Sequence, residues 1–195
     1  MTIEKLRFPI WTTMQSNNAA TFIDNWAKLY NYPNYERYEE LLHLLVWKYD
    51  DLLELFTWKN GMQMSGKKRL AFEKHIAAHI TTINRLKIQF DSEEFNELFL
   101  LLPAIWKIFL LHIINPGYPI FDQHVYRAMI YIRQQNVLEL PYSQDQRMRI
   151  YRNEYLSFFC DLKASCGDCS EKVIDNALWA FGKFLKEYSM FFEKY

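Results

Sequence analysis

Tyr118-Pro119-Ile120-Phe121-Asp122-Gln123-His124-Val125-Tyr126-Arg127 follows a Pro-Gly break and places a single acid at the mouth of a helix. Asn115-Pro116-Gly117 ends an apolar run and Pro119 keeps its neighbours extended, so Asp122 falls at a helix N-cap. There the free N–H groups and the positive end of the helix dipole favour the ionised carboxylate. Such a group caps the helix, and it has the chemistry to stabilise developing positive charge or to orient a water. On the residues alone both uses stay open.

Outward from this segment the pattern is helical almost throughout. Gly and Pro are scarce, 5 and 6 of 195 residues, and apolar positions recur at three and four, which predicts an all-α fold. After an irregular start through Phe8-Pro9-Ile10-Trp11, a first helix is expected from about Ala19 to Tyr30, with Phe22, Ile23, Trp26 and Tyr30 on one face. A second runs from Tyr35 into Trp58, with a break near Asp50-Asp51, and Asn60-Gly61 stops it. Ser65 to Leu86 reads as a third. Asp91 caps a helix to Leu102, and Pro103 opens the next, to Ile114. The helix behind Asp122 reaches Gln135, Ser143 starts another, and Ser170 starts the last, to Phe192.

The length fits one domain, 1–195, with room for two lobes and a cleft near Asp122. Six Trp and thirteen Tyr supply a dense core or a stacking pocket for a base. The 23 basic residues are matched by 23 acidic ones, so overall charge gives no help to a protein that tracks phosphates. Local basic runs at Lys67-Lys68-Arg69 and at Arg147, Arg149 and Arg152 are equally explained as solvated helix faces. Met1-Thr2-Ile3-Glu4-Lys5 lacks a signal-peptide pattern, and Leu98 to Ile114 is interrupted by Pro103, Lys107 and His112. A cytoplasmic protein without a membrane span is therefore expected.

Other constellations are weak. His75 and His79 stand at i, i+4 on one expected helix face, but Ile76, Ala77 and Ala78 between them supply no acid for a zinc-protease pattern. Trp58-Lys59-Asn60-Gly61 combines an aromatic, a cation and an amide at a helix end; it could line a base pocket or be a core Trp followed by a stop. Cys160, Cys166 and Cys169 are too few for a four-thiolate cluster and give no disulfide framework. No metal and no cofactor are expected.

The Pro-Ile-Phe-Asp-Gln-His-Val-Tyr-Arg string resembles the catalytic segment of the helix-hairpin-helix DNA glycosylase superfamily, which includes endonuclease III and the 8-oxoguanine glycosylases. The match covers Tyr118 to Arg127. A fainter one covers Asp175-Asn176-Ala177-Leu178-Trp179-Ala180-Phe181-Gly182, similar to the closing helix of 8-oxoguanine-glycosylase-like proteins. The family's hairpin has its nearest counterpart in Leu102-Pro103-Ala104-Ile105-Trp106-Lys107, which carries neither glycine. In the family those glycines let backbone N–H groups approach a phosphate closely.

The resemblance implies a two-lobed helical bundle and cleavage of the N-glycosidic bond of an extruded, modified base. It makes Asp122 the catalytic carboxylate, and His124 a polar brace at the helix start. Tyr118, Trp58 and Trp179 become candidates to hold the base, with Gln123 and Lys59 beside them. Lyase members form an imine through a lysine upstream of the Asp. Here that place falls on Ala104, or on Ile108 if Leu102-Pro103 is the anchor, so a monofunctional enzyme is implied; Lys107, one helical turn from Ala104, is the nearby amine. Where endonuclease III-like members carry the fourth cysteine of an iron–sulfur loop, this chain has Asp175. The partner expected is DNA, bound weakly by the protein alone. The rival reading is a non-catalytic scaffold or regulatory subunit of a multi-protein system, with a protein partner.

Overall fold

A computed structural model describes residues 18–188. The expectations for Phe8 to Trp11 and for the end of the last helix at Phe192 lie outside the described residues. In chain order the helices are α1 (Ala19–Ala27), α2 (Tyr35–Leu42), α3 (Tyr49–Asn60), α4 (Gly66–His75), α5 (Ile80–Ile88), α6 (Ser92–Leu98), α7 (Ala104–Ile114), α8 (Gln123–Gln134), α9 (Gln144–Ile150), α10 (Leu156–Ser165) and α11 (Glu171–Tyr188). No strand occurs among the described residues, so the all-α expectation holds. None of the described helices is long and apolar enough to cross a membrane. The chain divides into two units: the residues up to Asn31 with those from Pro119 onward, and Tyr32–Tyr118.

In the Tyr32–Tyr118 unit, α7 is apolar on nearly every side and is accordingly buried on nearly every side, from Ala104 to Ile114. Its neighbours α2, α3, α5 and α6 turn Tyr38, Leu41, Leu52, Leu55, Phe56, Ile83, Leu86 and Phe95 into this core. Three boundaries differ from the periodicity. The break in the Tyr35–Trp58 stretch lies at 43–48, not at Asp50-Asp51. There the Asn84 side chain clasps the Trp47 backbone, accepting from its N–H and donating to its carbonyl at 2.8 Å each, while the Trp47 indole donates to the Leu41 carbonyl at 2.7 Å. Lys87 closes the α2 C-terminus by donating to the Leu42 carbonyl at 3.0 Å, its ammonium 3.7 Å from the Trp47 ring centroid. The acids belong to the start of α3, where Asp51 reaches back to the Lys48 N–H at 2.8 Å.

Ser65 to Leu86 is likewise not one helix. It breaks at Ile76 and passes through a 3-10 turn, Ala77–His79, so His75 and His79 do not share a helix face, and the His79 ring packs against Phe99 at 5.9 Å. No Pro or Gly marks that break. Asp91 does cap α6, accepting from Glu93 and Glu94 N–H at 2.9 and 3.0 Å, but α6 ends at Leu98 and Pro103 is the N-cap of α7 rather than its first residue. Between them Leu100 and Leu101 stand exposed at 73% and 76%.

In the other unit, α11 lies along α8 and α1. Phe181 and Phe184 of α11 pack on Trp26 of α1 with centroids 4.9 and 5.2 Å apart. Gly182 sets how closely α11 meets α8: a Cβ added there would stand 1.8 Å from the carbonyl oxygen of His124. Helices α9 and α10 form a single run through a π-helical turn, Tyr151–Tyr155, with both tyrosines buried. Single π turns inserted into α-helices concentrate at functional sites.

Candidate functional site

Asp122 is held by the start of α8. Its backbone is extended, and its Oδ1 accepts from the His124 N–H at 2.9 Å and the Val125 N–H at 3.2 Å. The carboxylate is half-buried, oriented by two backbone donors, and set at the positive end of a helix twelve residues long. Phe121 before it is fully buried against Tyr151 and Tyr155, with centroids 5.7 and 5.0 Å apart, which anchors the chain entering the cap. Gln123 follows at the first helical position, half-buried.

Each remaining polar residue of the motif has a structural partner. The buried Arg127 guanidinium grips Glu139 through Nε at 2.9 Å and Nη2 at 2.7 and 2.9 Å. Arg127 also donates to His124 Nδ1 at 3.4 Å, and because a guanidinium has no acceptor, Nδ1 must be the unprotonated nitrogen. The proton of the neutral ring then sits on Nε2, the tautomer suited to the His124 hydrogen bond with the Gly182 backbone. Burial pushes the His124 imidazole below its ordinary range, with Arg127 and Lys186 adding to that and the Asp122 charge opposing it. Trp179 packs edge-on against Tyr30 at 5.2 Å and tilted against His124 at 5.2 Å, with the Lys183 ammonium 5.2 Å from its ring centroid. The structure thus brings Asp122, Gln123, His124 and Trp179 into one unit.

Deeper in the same unit lies a group that periodicity does not reveal. Tyr155, on the π turn, is fully buried and its phenol is pushed well above its ordinary range, first by burial and then by the charges of Asp175, by Tyr151 and by Asp122. Of the charged groups acting on this phenol, Asp175 has the largest effect. Asp175 is 8% exposed, on the first turns of α11, and Lys172 one turn before it is pushed down to about 8 by burial against the opposing pull of Asp175. Tyr151 donates to the Pro119 carbonyl at 3.2 Å and so ties the π turn to the segment that delivers Asp122. Tyr155, Asp175 and Asp122 thus belong to one unit, with both acids acting on the buried phenol.

Tyr118, Trp58, Lys59 and Lys107 belong to the Tyr32–Tyr118 unit. Trp58 is built into its packing: Tyr38 stacks on it at 3.8 Å and 9°, the indole donates to the Pro33 carbonyl at 2.9 Å, and the Trp58 carbonyl accepts from Tyr32 at 2.8 Å. Gly61, at φ 71°, then stops α3. The Lys59 ammonium lies 5.8 Å from the Phe109 centroid. Lys107 is buried, donates to the Asn96 carbonyl at 3.1 Å and sits over Phe95. Tyr118 is half-buried near Phe90, at 6.0 Å, and its carbonyl accepts from His112 Nδ1 at 2.7 Å; His112 Nε2 in turn takes the Tyr38 hydroxyl at 3.0 Å. That buried histidine is a brace.

Among the described residues no cluster of three or more His, Cys, Asp or Glu side chains could hold a metal ion, and the three cysteines are free thiols. Comparison of the chain with family models, with curated proteins and with solved structures finds no match.

Proposed function

We propose that the protein is a monofunctional, glycosylase-like enzyme that cleaves the N-glycosidic bond of a modified base, with Asp122 as its catalytic carboxylate. The observation that carries this reading is the hold on Asp122: one carboxylate oxygen takes two backbone N–H groups, which fixes a half-buried anion at a helix N-terminus. A leaving base makes the sugar oxocarbenium-like, and an anion held in place before the reaction stabilises that charge without reorganising. The target nucleotide would have to be extruded, since its sugar–base bond is inaccessible within the stack. Trp179, Gln123 and His124, on the same unit as Asp122, are the residues proposed to receive it.

The monofunctional assignment follows from the amines. Ala104 and Ile108 offer none, and the Lys107 ammonium is already donating to Asn96 inside its own unit. The test is incubation with duplexes carrying varied modified bases, scoring abasic sites, with borohydride present to trap any imine. Asp122→Asn keeps the cap and removes the charge, and loss of a preorganised electrostatic contact costs on the order of 100- to 1000-fold in rate. A folded Asp122→Asn protein with full activity would remove Asp122 from the mechanism, and a trapped adduct would overturn the monofunctional assignment. Lys172 would be the first residue to examine in such an adduct.

A second reading has its own support. Zero net charge and the exposed Leu100-Leu101 turn, near the place where the family's phosphate-binding hairpin would lie, suit a non-catalytic subunit that binds another protein. Absence of abasic product across the whole substrate panel, with wild type and Asp122→Asn alike, is the outcome that favours it.

A further inference from the structure

Cys166 and Cys169 have no part in the reading above, yet the fold brings them together by identifiable local means. Helix α10 ends at Ser165 with Cys166 as its cap residue, and Gly167 takes φ 69°, the left-handed conformation that lets a chain leave a helix sharply. Asp168 completes the turn, and Ser170 opens α11 by accepting from the Val173 N–H at 3.3 Å. Lys163 near the end of α10 and Glu171 at the start of α11 form an ion pair across the turn. Inside it, the Cys169 thiol donates to the Cys166 carbonyl at 3.3 Å and the Cys166 thiol to the Lys163 carbonyl at 3.4 Å. Both sulfurs are thus folded back over the same turn, Cys169 within reach of the Cys166 backbone. Cys160 stands apart as an exposed thiol on α10.

We propose that Cys166 and Cys169 form a reversible dithiol–disulfide site whose co-substrate is a small-molecule disulfide of the glutathione class. The two cysteines differ in access, which fixes the order of events. Cys169 is partly exposed, whereas Cys166 is buried. The Cys169 thiolate attacks one sulfur of the oxidised glutathione, forming a Cys169–glutathione mixed disulfide and releasing one glutathione thiolate. The Cys166 thiolate then attacks the Cys169 sulfur, the bond to glutathione breaks, and the second glutathione leaves. Two protein thiols are oxidised, one external disulfide is reduced to two thiols, and two protons pass to the released thiolates. Burial and the neighbouring Cys169 push the Cys166 thiol up to about 11, so the second step is the slow one and the mixed disulfide is the intermediate that accumulates. The metal alternative lacks ligands, since no third His, Cys, Asp or Glu among the described residues completes a site around this pair.

The experiment uses the full chain carrying Cys160→Ser, exposed to oxidised glutathione, quenched with acid at intervals and read by intact mass and peptide mapping. The expected course is a transient gain of one glutathione at Cys169, followed by its loss and a Cys166–Cys169 crosslink that dithiothreitol reverses. Cys166→Ser in that background should stop at the adduct, and Cys169→Ser should react far more slowly. Circular dichroism before oxidation establishes that each variant is folded. A stable adduct that never resolves in the Cys160→Ser protein, or reaction confined to Cys160 in the wild type, would overturn the proposal. Neither outcome depends on any glycosylase activity.

Discussion

Gly182→Ala probes the close approach of α11 to the start of α8. In an exposed helix interior the change would be favourable, because alanine is about 1 kcal/mol better than glycine there. At this site the new Cβ would lie 1.8 Å from the His124 carbonyl oxygen, 2.4 Å from its carbon and 2.9 Å from its Cα. All three atoms are backbone, at the first turn of α8, so no side chain can swing aside. Relief requires α11 and α8 to separate locally by more than an ångström, which opens the packing of Leu178, Phe181 and Leu185, all buried. Overpacking costs typically about 1–3 kcal/mol, and a rigid neighbour puts this case at the upper end.

Set against the propensity gain, the net loss is about 2 kcal/mol, or roughly 4–8 °C in Tm for a chain of this length. Urea unfolding followed by tryptophan fluorescence and circular dichroism measures it. Gly66→Ala is the control, since nothing lies within 4 Å of a Cβ built there, at the first residue of α4. That variant should be neutral or slightly stabilised. If Gly182→Ala unfolds at the wild-type urea midpoint, α11 does not cross α8 at His124 and the account of how Asp122 and His124 are positioned fails with it.

Glu139→Ala should destabilise by about 1.5–3 kcal/mol, because it leaves the buried Arg127 guanidinium without its charged acceptor; a replacement of both residues by Met and Gln should recover most of the loss in the same unfolding assay. Lys172 makes stability depend on alkaline pH. Its folded value lies near 8, below the ordinary 10.5, so between those values the unfolded chain binds more protons and stability rises with pH; the contribution is complete above about 10.5 and lost as pH falls through 8. At about 1.4 kcal/mol per pH unit this is worth up to about 3 kcal/mol, and Lys172→Met should flatten the stability profile between pH 8 and 10.5 relative to wild type. Undamaged duplex DNA should bind no tighter than about 10⁻⁶ M with a shallow salt dependence, as zero net charge requires; fluorescence anisotropy giving tight binding and a steep salt slope would reveal a basic face that the residue counts conceal.

What the sequence made legible were the local signals. Asp122, Asp91 and Ser143 cap helices because a side-chain oxygen one residue ahead of an amphipathic run answers free N–H groups, and Gly61 stops α3 because a left-handed residue does so cheaply. The misplaced break before α3 has a different origin. Asn84 and Lys87, some forty residues downstream, supply the partners that let the chain leave helix around Trp47, and no window on the sequence contains both sides of that clasp. The kink at Ile76 carries no Pro or Gly, and the π turn at Tyr151–Tyr155 preserves apolar spacing well enough to pass as ordinary helix. For the same reason Tyr155 and Asp175 were invisible as a pair: each reads as core or helix start, and only the fold sets them together.

Under the catalytic proposal, capping and chemistry at Asp122 are not rival uses of one side chain. A cap alone would be served as well by Ser, Thr or Asn, whose oxygens accept the same N–H groups. The surroundings are built for a charge as well: the helix dipole favours it, the His124 tautomer set by Arg127 leaves a neutral ring beside it, and Phe121 locks the chain on the entering side. Tyr155 feels both Asp122 and Asp175, and burial keeps it protonated, so its field does not add a third negative charge. Maintaining two acids, a buried phenol and a depressed amine within one helical unit costs stability that an apolar core would not. A π turn that costs a helix its regular hydrogen bonds, placed where it carries Tyr151 to Pro119 and Tyr155 to the acids, belongs to the same expenditure. Because Asp122→Asn keeps the two N–H contacts of the cap and removes only the charge, the catalytic proposal is tested first on the charge of Asp122 and not on its hydrogen bonds.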